Sequence, residues 1–278
     1  AGITAGGDGP TLAVGAGSTL AFQSSDDFMV INRGSQIVAN GTPAAPITIT
    51  SQTDAVFGTV GPEDVQQWGG LVINGFGVTN KCAYTGTRGV DLAPASECHV
   101  VAEGQASAGE TNYGGNNDAD SSGTMRYVVV KHTGAEVAPG NELNGIAFNA
   151  VCSGTTVEFL EVYSVYDDGI EFFGGTVNAS NLMVWAQGDD AIDIDQAYSG
   201  TIDNAVVVLG DFSDHAFEID GPEGSATGSF TLQNATIIGN MVTENGEYAD
   251  YRSKAMGHTS NIFAYGFKAT SDIELDND

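Results

Sequence analysis

The stretch Asp168-Gly169-Ile170-Glu171-Phe172 decides the fold, because similar stretches recur along the chain. The other copies are Asn144-Gly145-Ile146-Ala147-Phe148, Asp190-Ala191-Ile192-Asp193-Ile194 and His215-Ala216-Phe217-Glu218-Ile219. Their second residues stand at positions 145, 169, 191 and 216, so the copies are 24, 22 and 25 residues apart. In each copy, a small residue is followed by an apolar, a polar or small, and an apolar residue. This alternation is typical of a strand with one buried face.

A second set of apolar segments lies between these copies, so each repeat carries at least two short strands. The segments are Tyr127-Val128-Val129-Val130, Val157-Glu158-Phe159-Leu160-Glu161-Val162, Leu182-Met183-Val184-Trp185, Ala205-Val206-Val207-Val208 and Ala235-Thr236-Ile237-Ile238. A period of this length has no room for a crossover helix, and it matches one turn of a parallel β-helix. We therefore predict an all-β, right-handed parallel β-helix (a β-solenoid), in which neighbouring coils stack and share one core.

The N-terminal half shows the same architecture with less regular turns. Strands are expected at Leu12-Ala13-Val14, Thr19-Leu20-Ala21-Phe22, Phe28-Met29-Val30-Ile31, Gln36-Ile37-Val38 and Ile47-Thr48-Ile49. Another rung is expected at Trp68-Gly69-Gly70-Leu71-Val72-Ile73-Asn74-Gly75. Residues 78–123 form a long excursion rich in Gly, Asn, Asp and Ala. Loops longer than about 15 residues are usually functional or flexible. We predict a single domain over residues 1–278 with this excursion as its long loop.

The three cysteines indicate the redox state of the compartment in which the protein folds. Cys82 and Cys98 lie 16 residues apart within the excursion, and we predict that they form a disulfide that closes it. Such a bond requires an oxidising compartment. Cys152 follows the apolar residues Phe148-Asn149-Ala150-Val151 and is expected to be a buried thiol. No CxxC or other zinc spacing occurs in the sequence, so structural zinc is not expected.

The chain is strongly acidic, with 36 Asp and Glu against 8 Lys and Arg and a formal net charge of −28. It lacks the cationic side chains that replace the counterions of nucleic acid, so no nucleic-acid partner is expected. Divalent metal ions, basic surfaces and neutral glycans are the partners that this charge favours. The alternative is an acidic, solvated surface suited to high salt.

The sequence also bears on the membrane and on export. No apolar run approaches the roughly 20 residues of a membrane-spanning helix, so no membrane span is expected. The chain begins at Ala1, not Met, as an exported protein does after its signal is removed. A shortened chain would begin in the same way.

The aligned repeats predict four columns of side chains that are mostly acidic. The columns are Asp167, Asp189 and Asp214; Asp168, Asp190 and His215; Glu171, Asp193 and Glu218; and Phe173, Asp195 and Asp220. In the third column each carboxylate follows a core residue, for example Glu171 after Ile170. Alternation along a strand therefore directs the third column outward, on one face of the β-helix.

Stacked carboxylates need a compensating interaction. At about 4.8 Å, a pair repels by roughly 1 kcal/mol in water and by about 3–4 kcal/mol at an effective dielectric near 20. Protonation, a bound cation or full solvation can offset this cost. Calcium suits the site because it accepts six to eight oxygen ligands. The ten carboxylates of the four columns are therefore candidate calcium ligands, although no EF-hand loop or GGxGxD repeat is present. A solvated acidic face and catalytic carboxylates are the alternatives.

A further set of motifs carries a family resemblance. The motifs are Phe28-Met29-Val30-Ile31-Asn32-Arg33-Gly34-Ser35, Asn40-Gly41-Thr42, Ala45-Pro46-Ile47, Trp68-Gly69-Gly70, Tyr113-Gly114-Gly115-Asn116-Asn117, Asn141-Glu142-Leu143-Asn144-Gly145, Asp167-Asp168-Gly169-Ile170-Glu171-Phe172-Phe173-Gly174-Gly175 and Asp189-Asp190-Ala191-Ile192-Asp193. Over about residues 10–240 the chain resembles bacterial exported β-helix proteins of the pectate-lyase-like superfamily. The resemblance implies a secreted or lipid-anchored protein of the bacterial cell surface. It implies little about activity, because most such proteins have no defined one.

Two enzyme classes share this fold, so the resemblance also implies an alternative function. Calcium-dependent pectate lyases bind the uronate carboxylate through calcium and use an Arg or Lys as the base. In this chain Lys131 is the first candidate for the base, with Asp190 and Asp193 as the catalytic carboxylates.

The second class is the polygalacturonase-like glycosidases, which carry an Asp-Asp pair, a Gly-His-Gly and an Arg-x-Lys. Asp189-Asp190 resembles the first element. Gly257-His258-Thr259 lacks the second Gly, and Arg252-Ser253-Lys254 precedes the His instead of following it. The match is partial and out of order.

The aromatic residues allow two interpretations. Trp68, Trp185, Tyr163, Tyr166 and Tyr198 either form a platform on which sugars stack or pack within the protein, and packing is the favoured interpretation. Tyr163 and Trp185 are 22 residues apart, one coil, and could stack on each other, but packing in the core is the favoured interpretation for them as well.

These observations favour a non-catalytic extracellular or cell-surface β-helix protein that is stabilised by calcium. Self-assembly, adhesion or glycan binding is the expected role. A homo-oligomer or filament would form by end-to-end or lateral packing, since the ends of a β-helix expose unpaired strands. A calcium-dependent polysaccharide lyase or glycosidase is the alternative.

Overall fold

The computed structural model describes residues 9–104, 111–138, 140–222, 224–242 and 246–275, which form β-strands and one turn of π-helix, Thr53–Phe57. The first twelve strands are β1 (Thr11–Val14), β2 (Thr19–Phe22), β3 (Met29–Ile31), β4 (Gln36–Asn40), β5 (Ile47–Ser51), β6 (Leu71–Asn74), β7 (Tyr84–Thr85), β8 (Ala93–Pro94), β9 (Val100–Val101), β10 (Asn112–Tyr113), β11 (Gly123–Thr133) and β12 (Glu136–Ala138). The others are β13 (Asn141–Glu142), β14 (Ile146–Asn149), β15 (Thr156–Val165), β16 (Ile170–Phe173), β17 (Asn178–Gln187), β18 (Ile192–Asp195), β19 (Thr201–Val208), β20 (Phe217–Asp220), β21 (Phe230–Ile238), β22 (Ala249–Arg252), β23 (Gly257–Tyr265) and β24 (Ile273–Leu275).

Two long parallel sheets contain most of these strands. The first sheet has ten strands, with β1, β4, β11, β15, β17, β19, β21 and β23 in spatial order and β2 and β5 beside them. The second sheet has eight strands, in the order β24, β22, β20, β18, β16, β14, β6 and β3. From β14 onward the chain alternates between the two sheets, one strand to each per coil. The prediction of an all-β parallel β-helix is confirmed.

The repeat copies stack directly on one another. Ile170 is paired with Ile146 in one neighbouring coil and with Ile192 in the other. Two residues further along, the ring of Phe172 stacks on that of Phe148, with 5.3 Å between ring centroids. These side chains are buried. Each coil therefore buries its apolar face against the next coil, and the core is continuous along the axis.

Strands β11, β15 and β17 have a further residue with positive φ near their C-terminal ends, but every long strand of the first sheet from β11 to β23 also bends at one shared position where φ is positive. The residues at this shared position form a single column: Tyr127, Phe159, Asn181, Asn204, Asn234 and Asn261, with φ between 49° and 62°. Asparagine tolerates this left-handed conformation better than most L-residues. The side chains also bond along the column, since Asn204 Nδ2 donates to Asn181 Oδ1 at 2.7 Å. In the earlier coils the rings of Tyr127 and Phe159 stack at 4.5 Å. Every coil therefore turns at the same point.

The excursion is fastened at several points. The predicted disulfide between Cys82 and Cys98 is present. The guanidinium of Arg33, in the turn after β3, donates to the carbonyl oxygens of Cys98 and Gly114 at 2.8 and 2.6 Å. Cys152 is a buried free thiol, as predicted.

The excursion covers the outer face of the second sheet. Ala102 and Tyr113 of the excursion belong to a small apolar cluster with Val72, Ala147 and Phe173 of the sheet. This cluster is separate from the core inside the coils. The excursion therefore forms a roof over the outward-facing residues of β6, β14 and β16, next to the acidic columns.

The asparagine column gives a stability prediction. We expect Asn204→Ala to lower the free energy of unfolding by about 1–2 kcal/mol, because alanine adopts the left-handed conformation at a cost and cannot bond to Asn181. Asn204→Gly should cost less, because glycine adopts positive φ freely. Thermal unfolding of the two variants measures the difference. Equal destabilisation by both variants would contradict the role of backbone conformation at this bend.

Candidate functional site

The strand register brings the third acidic column together as predicted. Glu171 is paired with Asp193 across β16 and β18, and Asp193 with Glu218 across β18 and β20. The column continues to Asp250 and, across β22 and β24, to Glu274. Carboxylates therefore occupy the same outward position in five successive strands of the second sheet.

The second column is a ladder of hydrogen bonds between coils. Asp168 Oδ1 accepts from the backbone N–H of Asp190 at 2.9 Å, and Asp190 Oδ1 accepts from that of His215 at 2.8 Å. The ring nitrogen Nδ1 of His215 lies 2.9 Å from the same oxygen of Asp190. These carboxylates therefore hold the turns of neighbouring coils together.

The first column is also brought into register by the backbone. The N–H of Asp214 donates to the carbonyl of Asp189 at 2.9 Å, and that of Asp189 lies 3.4 Å from the carbonyl of Asp167. All three side chains sit on the turns that lead from the first sheet to the second.

The interpretation of a solvated acidic face is wrong for the centre of the third column. Its side chains do point away from the apolar core, but Glu171 is only 5% exposed and Asp193 only 6%. The reason is the roof, which encloses a cleft of about 450 Å³ against the second sheet. Eight of the ten candidate ligands line this cleft: Asp167, Asp168, Glu171, Asp189, Asp193, Asp195, Glu218 and Asp220. Asp190 and Asp214 do not line it.

A trio of carboxylates forms the most enclosed part of the cleft. One oxygen from each of Asp168, Glu171 and Asp193 lies within 4.8 Å of the others. Asn144 Nδ2 donates to Glu171 Oε2, while Oδ1 of Asp193 is buried and has no hydrogen-bond partner. An acceptor without a partner in a buried site is costly. This trio therefore offers oxygen ligands to a cation.

Burial and charge repulsion shift the pKa values of the cleft. Burial first, and then the neighbouring carboxylates, raise the pKa of Asp168, Glu171 and Asp193 well above the usual range. The same causes raise the pKa of Asp167 to about 7 and that of Glu218 to about 8. Without a cation, burial and the neighbouring negative charges favour the protonated form of these groups.

The structure adds residues to the cleft that the sequence did not place there. Arg252 of β22 pairs with Glu218 and Asp220 at 2.7 Å each. The signal was its position one coil beyond Asp220, with which it is paired in the sheet. Glu103 and Lys81, both from the excursion, also line the cleft, and nothing periodic in the sequence marks them.

The expected catalytic set is not brought together. Lys131 pairs with Asp54 at 2.8 Å and lies on the first sheet, away from the cleft lining. Burial alone would lower the pKa of Lys131, but hydrogen bonds to Asp54 and Tyr163 raise it, which is wrong for a base. Asp190 is held in the ladder with His215. Of the three residues, only Asp193 faces the cleft.

The aromatic residues mostly pack. Trp68 and Tyr198 are buried, so they cannot form a sugar platform. Tyr163 and Trp185 stack on each other, with 4.1 Å between ring centroids, and both rings are half-buried instead of lying in the core. Tyr166 is exposed. His258 of the glycosidase-like motif lies on β23 in the first sheet, paired with Thr231.

Fold and site together define a parallel β-helix protein with a roofed, carboxylate-rich cleft of the kind that attracts cations. A family model described as the pectate-lyase like beta helix domain matches residues 2–278. The chain belongs to this family. No curated protein and no solved structure matches the chain significantly. Among the described residues, no helix has the length and apolar character needed to cross a bilayer.

The raised pKa values predict an unusual pH dependence. A carboxyl whose pKa is higher in the folded protein than in the unfolded chain stabilises the fold at low pH, and this contribution is lost as the pH rises through the folded value. The pKa values are about 6 for Asp189, about 7 for Asp167 and about 8 for Glu218. In the presence of chelator, the melting temperature should therefore fall between pH 5 and pH 8.5.

Thermal melts at half-unit pH steps measure this dependence. The variant Glu171→Gln/Asp193→Asn should show a shallower fall, because two of the repelling groups are neutral at every pH. Asp26→Asn, at an exposed carboxylate, serves as the matched control. A melting temperature that is constant or rising over this range in chelator would contradict the assignment.

Proposed function

We propose that this protein is a non-catalytic β-helix protein of the extracellular surface whose roofed cleft binds calcium. The trio of Asp168, Glu171 and Asp193 carries the proposal, because these buried oxygens lie within 4.8 Å of one another and one oxygen of Asp193 has no partner. A cation among them replaces the protons that burial otherwise requires and supplies the missing contact.

Calcium fits this set of donors better than other common metals. The trio offers only carboxylate oxygens, and calcium accepts six to eight oxygens in flexible geometry. Magnesium demands stricter octahedral geometry and keeps more of its waters. A transition metal would favour the cluster that contains a ring nitrogen, Asp190, His215 and Glu218. In that cluster, the Nδ1 of His215 already contacts Asp190, and nearby carboxylates raise the pKa of His215 to about 9 against the opposing effect of burial.

A cation in the cleft would also join the roof to the coils. Glu103 of the excursion interacts with Glu171, and burial raises the pKa of Glu103. One ion could therefore draw ligands from two successive coils and from the roof. Bound calcium would act as a clamp on the excursion, which explains a stabilising role without catalysis.

The disulfide supports an extracellular location. The bond between Cys82 and Cys98 lies in the excursion that roofs the cleft. Disulfides persist in oxidising compartments, where calcium is also abundant. The compartment and the proposed ion therefore agree.

Calcium titration tests the proposal. At about a hundredfold excess over its Kd, calcium should raise the melting temperature at pH 8 by on the order of 5–10 °C. Asp193→Asn should lose most of this response. In chelator at the same pH, this variant should melt above the wild type, because one repelling charge is gone. Metal analysis of the purified protein measures the ion directly, with magnesium and zinc as parallel arms.

Asp26→Asn is again the matched control and should respond to calcium as the wild type does. An equal calcium response in wild type and Asp193→Asn would remove this cleft as the site. A response to zinc alone, lost in His215→Gln, would move the site to the mixed cluster.

A calcium-dependent polysaccharide lyase or glycosidase is the second candidate. It is favoured by one observation: Arg252 and Lys81 line the same cleft as the carboxylates. Two carboxylates hold Arg252 at 2.7 Å, which opposes its use as a base.

We expect no ultraviolet-absorbing unsaturated product from pectin or alginate, and no new reducing ends from neutral glycans, with calcium present. Turnover that is lost in Arg252→Gln but kept in Lys254→Gln would replace the non-catalytic proposal with an enzyme.

A further inference from the structure

A second recess lies beside the cleft, on the turns that lead from the first sheet to the second. This lateral groove has a volume of about 640 Å³, and it is defined by Tyr166, Gln187, Asp189, Asp211, Phe212 and Asp214 together with the neighbouring turn residues. Among the described residues, every charged side chain that lines it is a carboxylate. The groove shares Glu142, Asp167 and Asp189 with the cleft but contains none of the trio.

Two glycines, Gly188 and Gly210, lie in the lining of the groove. A Cβ at Gly188 would lie 2.0 Å from the carbonyl oxygen of Tyr166, and one at Gly210 would lie 2.9 Å from the Cα of Ala186. Neither position can carry a side chain without moving the backbone. The coils therefore approach each other closely beneath the groove.

Two aromatic rings stand at this groove with much of their surface in water. Tyr166 is 47% exposed and Phe212 is 71% exposed. Exposed rings beside carboxylates attract organic cations, since the face of a ring is negative and the carboxylates add their charge. Such rings also stack against the apolar faces of sugars.

Gln187 shows which kind of group is missing from the groove. The residue is among those that line the groove, yet it is only 1% exposed, and its Oε1 is buried without a hydrogen-bond partner. The amide Nε2 donates to the carbonyl oxygen of Asp189 at 3.5 Å, so the amide oxygen is the atom left without a partner. The missing partner of Gln187 Oε1 is therefore a hydrogen-bond donor, which a ligand in the groove would supply.

We propose that the lateral groove binds a ligand with several ammonium groups, either an amino-sugar oligomer or a linear polyamine. The ammonium groups donate to Gln187 Oε1 and to the carboxylates, and the carbon skeleton lies against Tyr166 and Phe212. This site is additional to the trio of the calcium cleft, and the two recesses meet at Glu142, Asp167 and Asp189.

Calorimetric titration tests the proposal, in calcium and about 150 mM salt so that long-range attraction to the acidic protein is screened. The probes are the glucosamine trimer, its fully N-acetylated form and spermidine. The acetylated trimer keeps the sugar rings but has no ammonium groups, so it should not bind. Binding of the glucosamine trimer identifies an amino-sugar ligand, and binding of spermidine alone identifies a linear polyamine.

Two variants place the binding in the groove. Phe212→Ala should weaken binding about two- to fivefold through loss of the cation–π contact. Gln187→Met should weaken it about tenfold through loss of a hydrogen bond to a charged group. Phe263→Ala is the matched control, because Phe263 is 64% exposed on β23 of the first sheet. Asp193→Asn should leave this binding unchanged even if it abolishes calcium binding.

Three results would overturn the proposal. The first is equal binding of the acetylated and free trimers, since charge would then play no part. The second is the same affinity in Phe212→Ala and Gln187→Met as in Phe263→Ala, which would indicate non-specific attraction to an acidic protein. The third is no binding of either ammonium probe.

Discussion

The whole structure depends on coils that stack in register, so that each residue lies beside its counterpart one coil away. Hydrogen bonds between parallel strands impose this spacing, and every side chain must tolerate a neighbour in the same column. Apolar columns such as Ile146, Ile170 and Ile192 gain from the arrangement. Asparagine columns gain as well, because an amide both donates and accepts. Carboxylate columns are destabilised, because like charges are brought together.

The candidate site follows from this repulsion between stacked carboxylates. A column of carboxylates on an open face would be solvated at little cost, but the excursion encloses Glu171 and Asp193. Enclosure removes water and strengthens repulsion, so protons or cations must enter. At one edge of the cleft, Arg252 supplies a positive charge to Glu218 and Asp220. Deeper in the cleft, the trio brings three buried carboxylates within 4.8 Å of one another, which is why it is the best place for a metal ion.

The sequence alone predicts the features that repeat from coil to coil. The repeat placed Glu171, Asp193 and Glu218 in one column and Tyr163 against Trp185, because one coil has a nearly constant length. It does not predict the features that lie outside the repeat. The roof comes from an irregular excursion whose path no repeat describes. Lys131 was assigned to the wrong place because it belongs to the other sheet, and proximity between the two sheets depends on the path of the turns.

The contacts that hold the roof limit the number of coils that can lie beneath it. The excursion reaches from Arg33, near the first coils, to Thr227, whose carbonyl accepts from Arg88 at 3.4 Å. The number of coils beneath this span is matched to the reach of the excursion, and a coil added there would separate its anchors. Beyond β21 no such bridge constrains the described coils. The excursion therefore ties together the coils that lie before β21, whereas the described coils after it are held by strand pairing and by packing along the axis.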